Sequence, residues 1–155
     1  CVLESIERAV ARCGGTVTVI GCGPDGTVTP ADVATAVRAE TALVAVQLAN
    51  HEVGTIQPVG ETVAAVRDTA GSVGAEPLVL TDAASAVGHL PVDLGALGVD
   101  LAVVSAHKFG GPKGAGAMFV RRGLRVDPLL LGGAQDARGR DFVDDGLEER
   151  LEVGP

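Results

Sequence analysis

The stretch Ser105-Ala106-His107-Lys108-Phe109-Gly110-Gly111-Pro112-Lys113-Gly114 decides how this chain is read. The run Asp100-Leu101-Ala102-Val103-Val104 leads into it as a short strand, and glycines follow the lysine at once. Glycine lets a backbone turn sharply and approach a ligand closely. The pattern describes a lysine at the end of a strand, held in a turn. A lysine kept in a less polar site near other cations is more readily a neutral amine, the form that attacks a carbonyl carbon. Taken alone, the same residues also describe a surface lysine in a glycine-rich hairpin.

A second stretch, Pro77-Leu78-Val79-Leu80-Thr81-Asp82-Ala83-Ala84-Ser85-Ala86-Val87-Gly88, gives the lysine a partner. A short apolar strand ends at Asp82. The distance from Asp82 to Lys108 accommodates a crossover and the next parallel strand. Both residues then fall at the carboxyl edge of a parallel sheet, where open α/β sheets bind ligands. A lysine for an aldehyde and a carboxylate for a pyridinium nitrogen are the two groups that pyridoxal phosphate (PLP) requires. By itself Asp82 reads as a cap or turn residue. Its pairing with Lys108 favours the cofactor role.

A third stretch, Ala49-Asn50-His51-Glu52-Val53-Gly54-Thr55-Ile56-Gln57-Pro58, follows another apolar run, Ala42 to Leu48. Together the three resemble the cysteine desulfurase branch of the class V aminotransferase family. The likeness runs from about Cys1 to Arg122 and is strongest at Asn50–Pro58 and Asp82–Arg122. It implies that Lys108 is the Schiff-base lysine and that Asp82 keeps the pyridine nitrogen protonated. It makes Ser105 and His107 phosphate ligands; a hydroxyl and an imidazole are suitable donors. Asn50 and His51 fall in the segment that holds the substrate carboxylate, with His51 where the family has a second asparagine. Ser85 stands where the family has a glutamine reaching the phenolic oxygen of the cofactor.

The resemblance further implies a fold type I PLP-dependent large domain, of which this chain is the central part. Its activity would be removal of sulfur from L-cysteine, giving alanine and an enzyme persulfide. That sulfur would go to an acceptor protein, for iron–sulfur cluster or thio-cofactor supply, from a cytoplasmic homodimer. The family's ring-stacking histidine, glycine-rich phosphate cradle, nucleophilic cysteine and carboxylate-gripping arginine have no counterparts in these 155 residues. The chain alone is therefore expected to be incomplete and inactive. The alternative is a non-catalytic PLP-fold subunit acting in assembly, or a related aminotransferase or selenocysteine lyase.

Composition is compatible with this reading. The chain is 46% hydrophobic with 22 glycines, three Phe and neither Trp nor Tyr, so its core is assembled from Val, Ala and Leu. A formal charge of −8 argues against nucleic acid or an anionic membrane as partner. No apolar run approaches the length of a membrane span, and no signal-peptide pattern opens the chain. Cys1, Cys13 and Cys22 lack metal-ligand spacing, and no metal is expected.

The expected elements are helices at about 2–13, 30–39, 59–70 and 93–97, and strands at 16–20, 42–48, 77–81, 100–105 and 115–121. Thr29 before Pro30 is a strong helix start. Alternating strands and helices predict an α/β fold, a mainly parallel sheet flanked by helices. The short 108–114 turn makes the last strand antiparallel. Two domain segments are expected, 1–131 and an acidic tail from Gly132 to Pro155. Within the tail, Gly132-Gly133-Ala134-Gln135 is similar to the end of the family's large domain, but the family's cross-subunit threonine is not matched. Gly21-Cys22-Gly23-Pro24-Asp25-Gly26 mimics a dinucleotide fingerprint. The helix is expected only at Pro30, and Pro24 lacks an amide, so a turn is predicted there. Gly110–Gly114 does not meet the Walker pattern, since Gly114 follows Lys113.

Overall fold

The computed structural model describes residues 2–126. Two compact units divide the chain, residues 1–119 and 120–155. Of the second, the described part is 120–126, a strand end and a turn closed by the Leu124 amide on the Arg121 carbonyl. The expected boundary after residue 131 and the Gly132–Arg140 segment lie outside the described residues.

The first unit is built on a four-stranded sheet in the order β1-β2-β3-β4, comprising β1 (Leu43–Gln47), β2 (Leu78–Asp82), β3 (Leu101–Ser105) and β4 (Gly116–Val120). The first three strands are parallel. Gln47 pairs with Asp82, and Asp82 with Val103, so their carboxyl ends lie level. The edge strand β4 returns antiparallel beside β3 after too short a connection for a crossover.

Helices α1 (Val2–Cys13), α2 (Pro30–Thr35), α3 (Val59–Val73) and α4 (Leu94–Leu97) cover the sheet. Along α3, Val59, Thr62, Val63, Val66 and Ala70 are buried, which is one helical stripe. Val59, Val63, Val66 and Ala70 join Val33, Val37, Val79, Val99 and Ala102 in a single core. In β2, Val79 and Thr81 are buried, whereas Leu78, Leu80 and Asp82 are half-buried. That alternation marks the core face of the sheet. Over the other face α1 brings Val2, Ser5, Ile6 and Ala9 toward Leu80 and Val103, around a hollow of about 320 Å³.

One polar cluster lies inside this core. Asp100, fully buried just before β3, accepts the Val79 amide at 2.6 Å and pairs with the Arg67 guanidinium. Arg67 also donates to the Pro77 carbonyl at 2.6 Å. The cluster ties α3 to the starts of β2 and β3, and thereby sets the sheet's register against the helix.

Two expectations are corrected. Residues 16–20 form no strand, although Thr16-Val17-Thr18-Val19-Ile20 has strong β-propensity. A strand needs a ladder partner; β1 pairs with β2, and Val19 is left 68% exposed. Thr18 is held instead by Arg38, whose guanidinium donates to its hydroxyl at 3.1 Å. The helix expected over 30–39 stops at Thr35, because the Ala36 and Val37 amides bond three residues back. Its start is as expected: the Thr29 hydroxyl accepts the Asp32 amide at 3.1 Å, with Pro30 at the first helical position.

Candidate active site

Asp82 ends β2 and is pinned from both sides. Its carbonyl accepts the Leu48 amide at 2.8 Å, and the next amide, from Ala83, bonds the Val103 carbonyl at 3.0 Å. The Asp82 carboxylate caps the turn that follows, accepting the Ala84 amide at 3.0 Å. The chain then coils tightly: Ala86 and Val87 bond back to Ala83, and His89 and Leu90 to Ala86. Ala83 and Ala86 are fully buried, so this turn is anchored in the core. Ser85 is half-buried within it.

Lys108 lies in a 3₁₀ turn, Ala106–Phe109, that leaves β3 directly. The Ala106 carbonyl accepts both the Gly110 and the Gly111 amides, and the Ala106 amide bonds the Ala115 carbonyl at 3.1 Å. A Cβ at Gly111 would lie 2.8 Å from the Ala106 Cβ, so this tight return requires glycine. Lys108 is half-buried and His107 exposed. Ser105 Oγ is 2.9 Å from His107 Nδ1. When the hydroxyl donates, Nδ1 is the acceptor and Nε2 carries the imidazole hydrogen.

Asn50 follows β1. Its carboxamide oxygen accepts the Glu52 and Val53 amides at 2.9 and 3.2 Å, and its carbonyl accepts the Gly54 amide at 3.0 Å. Asn50 thus shapes its own loop. His51, at the tip, is exposed with Nε2 4.0 Å from Glu52.

Asn50, Asp82 and Lys108 accordingly leave the carboxyl ends of three adjacent parallel strands, the edge that carries ligand sites in open α/β sheets. They stand at an open edge. The larger hollow, of about 850 Å³, lies elsewhere, between Thr27–Pro30, Ile56–Glu61 and Leu90–Leu97. Among the described residues no group of three His, Cys, Asp or Glu could hold a metal ion. Cys13 and Cys22 are exposed free thiols; Cys1 lies outside the described residues.

The glycine-rich stretch at 21–26 is a turn, as expected. Gly23 bonds Thr27, and Gly26 bonds Gly23. Gln57 stitches it to the Asn50 loop, donating to the Gly26 carbonyl at 2.8 Å and accepting the Val28 amide at 2.9 Å. The Thr27 amide, and then its hydroxyl, hold the exposed Asp25 carboxyl below the usual carboxylate range.

One residue that sequence reasoning passed over touches the site. His89 Nε2 is 3.0 Å from the Lys108 carbonyl oxygen. The two residues are far apart in sequence, and no local pattern marks such a contact.

Comparison with known proteins agrees with this architecture. The aminotransferase class-V family signature matches residues 1–152. The chain is 40% identical over 129 residues to a protein named cysteine desulfurase IscS from Methanosarcina thermophila, covering 82% of this chain and 30% of that one. It is 38% identical over 156 residues to a mitochondrial cysteine desulfurase from Eremothecium gossypii, covering 99% of this chain and 30% of the relative. A solved structure named NifS-like protein superposes with a TM-score of 0.79 at 38% identity, over 87% of this chain and 36% of that chain. The sequence thus spans about a third of these relatives, and the match reaches both its fold and its site-bearing segments: the chain belongs to the aminotransferase class-V family.

Proposed function

We propose that the protein is a PLP-dependent cysteine desulfurase, in which this segment supplies the lysine, carboxylate and phosphate-binding side of the cofactor site. The observation that carries the reading is the placement of Lys108 and Asp82 on two anchored turns at the level carboxyl ends of β3 and β2. The names of the relatives support cysteine as substrate. The donor set fits PLP: a half-buried primary amine, a carboxylate, and a hydroxyl–imidazole pair on one sheet edge.

PLP, when bound, supplies an electron sink for bond changes at the substrate's Cα and Cβ. The chain's own residues do the rest. Lys108 Nζ would hold the cofactor through its aldehyde carbon and, as a free amine, would move the proton at the substrate Cα. The Asp82 carboxylate holds the proton on the pyridine nitrogen. Ser105 and His107 would hold the phosphate: when the Ser105 hydroxyl donates to His107 Nδ1, Nε2 is the donor to a phosphate oxygen, and in the other tautomer the hydroxyl is that donor. Ser85 would serve the phenolic oxygen. Asn50 and His51 orient the substrate carboxylate; because the Asn50 oxygen already accepts two loop amides, its part is through the amide nitrogen and through holding His51 in place. L-cysteine becomes alanine, and its sulfur passes to an enzyme thiol, which becomes a persulfide. A homodimer and a sulfur-accepting protein complete the proposal.

Asp82→Asn tests the carboxylate's role. The amide keeps the shape and the cap to Ala84 and removes the charge. Loss of one charge-assisted hydrogen bond costs about 1.5–3 kcal/mol, or about one to two decades in turnover. Alanine formation from cysteine, measured at full PLP occupancy, reads the effect. Turnover equal to wild type would reduce Asp82 to a turn residue.

A further inference from the structure

We propose that His89 is a positioning residue: its imidazole holds the backbone carbonyl of Lys108 and locks the lysine turn onto the turn that carries Asp82. The inference rests on the proposed role of Lys108.

The chemistry of the contact is directional. A carbonyl oxygen can only accept, so the 3.0 Å contact requires the hydrogen on His89 Nε2. Within the 3₁₀ turn the Ala106 carbonyl receives two amides, from Gly110 and Gly111. Lys108 offers its carbonyl at the other end of that turn, and His89 supplies a donor from outside it.

His89 is fixed on its own side. Its amide bonds the Ala86 carbonyl at 3.0 Å, and Ala86 is fully buried. The neighbouring residues fit together as well. Gly88 has φ +83°, and a Cβ there would lie 2.4 Å from the Phe109 Cβ. Two successive residues of one turn, Gly88 and His89, therefore meet two successive residues of the other, Phe109 and Lys108. Contact at both pairs restrains translation and rotation of the lysine backbone together.

The restraint matters because the amine hangs from that backbone on a flexible four-carbon stem. Reacting groups lose rate steeply when displaced by about 1 Å. His89 is exposed, so the bond is of ordinary strength. Its removal should loosen the turn about three- to tenfold without unfolding the sheet.

The test uses the protein as its gene encodes it, with His89→Ala, His89→Asn and His89→Gln. Glutamine places an Nε2 donor at nearly the reach of the imidazole Nε2; asparagine falls short. Without cofactor, hydrogen exchange at the Gly110 and Gly111 amides should quicken about three- to tenfold in the Ala and Asn variants and return to wild type in Gln. The Leu48 and Leu78 amides, which bond the Asp82 and Ala42 carbonyls at the two ends of the β1–β2 pairing, should not change. On adding PLP, attachment to Lys108 fixed by borohydride should slow by a similar factor in Ala and Asn alone. Wild-type exchange in His89→Ala, loosening that extends equally to Leu48 and Leu78, or failure of glutamine to restore protection would each overturn the proposal. Absence of any PLP adduct on wild-type Lys108 would overturn the cofactor reading instead, while the exchange arm still decides whether His89 restrains the turn.

Discussion

Arg67→Ala should destabilise the protein by about 3–5 kcal/mol, the usual effect of removing one partner from a buried ion pair. The physical reason lies with what stays behind. Asp100 is fully buried, and its carboxylate would keep the Val79 amide but lose its guanidinium counter-charge. Loss of the Arg67 bond to Pro77 adds to the effect. Asp100→Asn should cost less, about 1–3 kcal/mol: the amide oxygen still accepts from Val79, and the Arg67 side chain, 38% exposed, can reorient toward water. By contrast the Arg8–Glu4 pair on α1 is 79% and 68% exposed, and breaking it should change stability by less than about 0.5 kcal/mol. Urea unfolding midpoints of the three variants give the order. Equal midpoints for Arg67→Ala and Arg8→Ala would show that the cluster does not hold α3 to the sheet.

The larger functional effect is expected at Lys108. On the proposed reading, Lys108→Ala removes the side chain assigned to covalent attachment and to proton movement at the substrate Cα. Proton transfer alone commonly contributes about two to four decades in rate, and loss of attachment should add release of the cofactor on dialysis. The fold should survive, because the turn is closed by backbone bonds to Ala106 and by His89, none of which uses the lysine side chain. Added methylamine should restore part of the rate. Lys113→Ala, in the same glycine-rich loop, should leave rate and retention near wild type. Inactivity of both variants, with unfolding, would show a loop-folding effect instead.

The sheet and the site could be read from sequence to different depths. Runs such as Leu78–Asp82 and Leu101–Ser105 are short, apolar and β-branched, and chain order alone sends Asp82 and Lys108 to one edge. Thr29-Pro30 marks its helix start because the capping chemistry is local. Residues 16–20 misled because β-propensity describes a surface ready to pair, whereas pairing depends on a neighbour. Asp100 read as the first residue of a strand. Its counter-charge Arg67 comes from a helix far back in the chain, and no local pattern encodes that contact. His89 was missed for the same reason. Asn50 carried a substrate-binding expectation from resemblance, while its geometry shows a side chain whose oxygen is committed to its own loop.

The central claim is that Lys108 is the lysine that holds PLP. Borohydride reduction of the PLP-treated protein, followed by peptide mapping, tests it directly. A single phosphopyridoxyl group on Lys108, competed by L-cysteine before reduction, is the predicted result. A group on Lys113, or modification spread over both lysines without competition by cysteine, would contradict it.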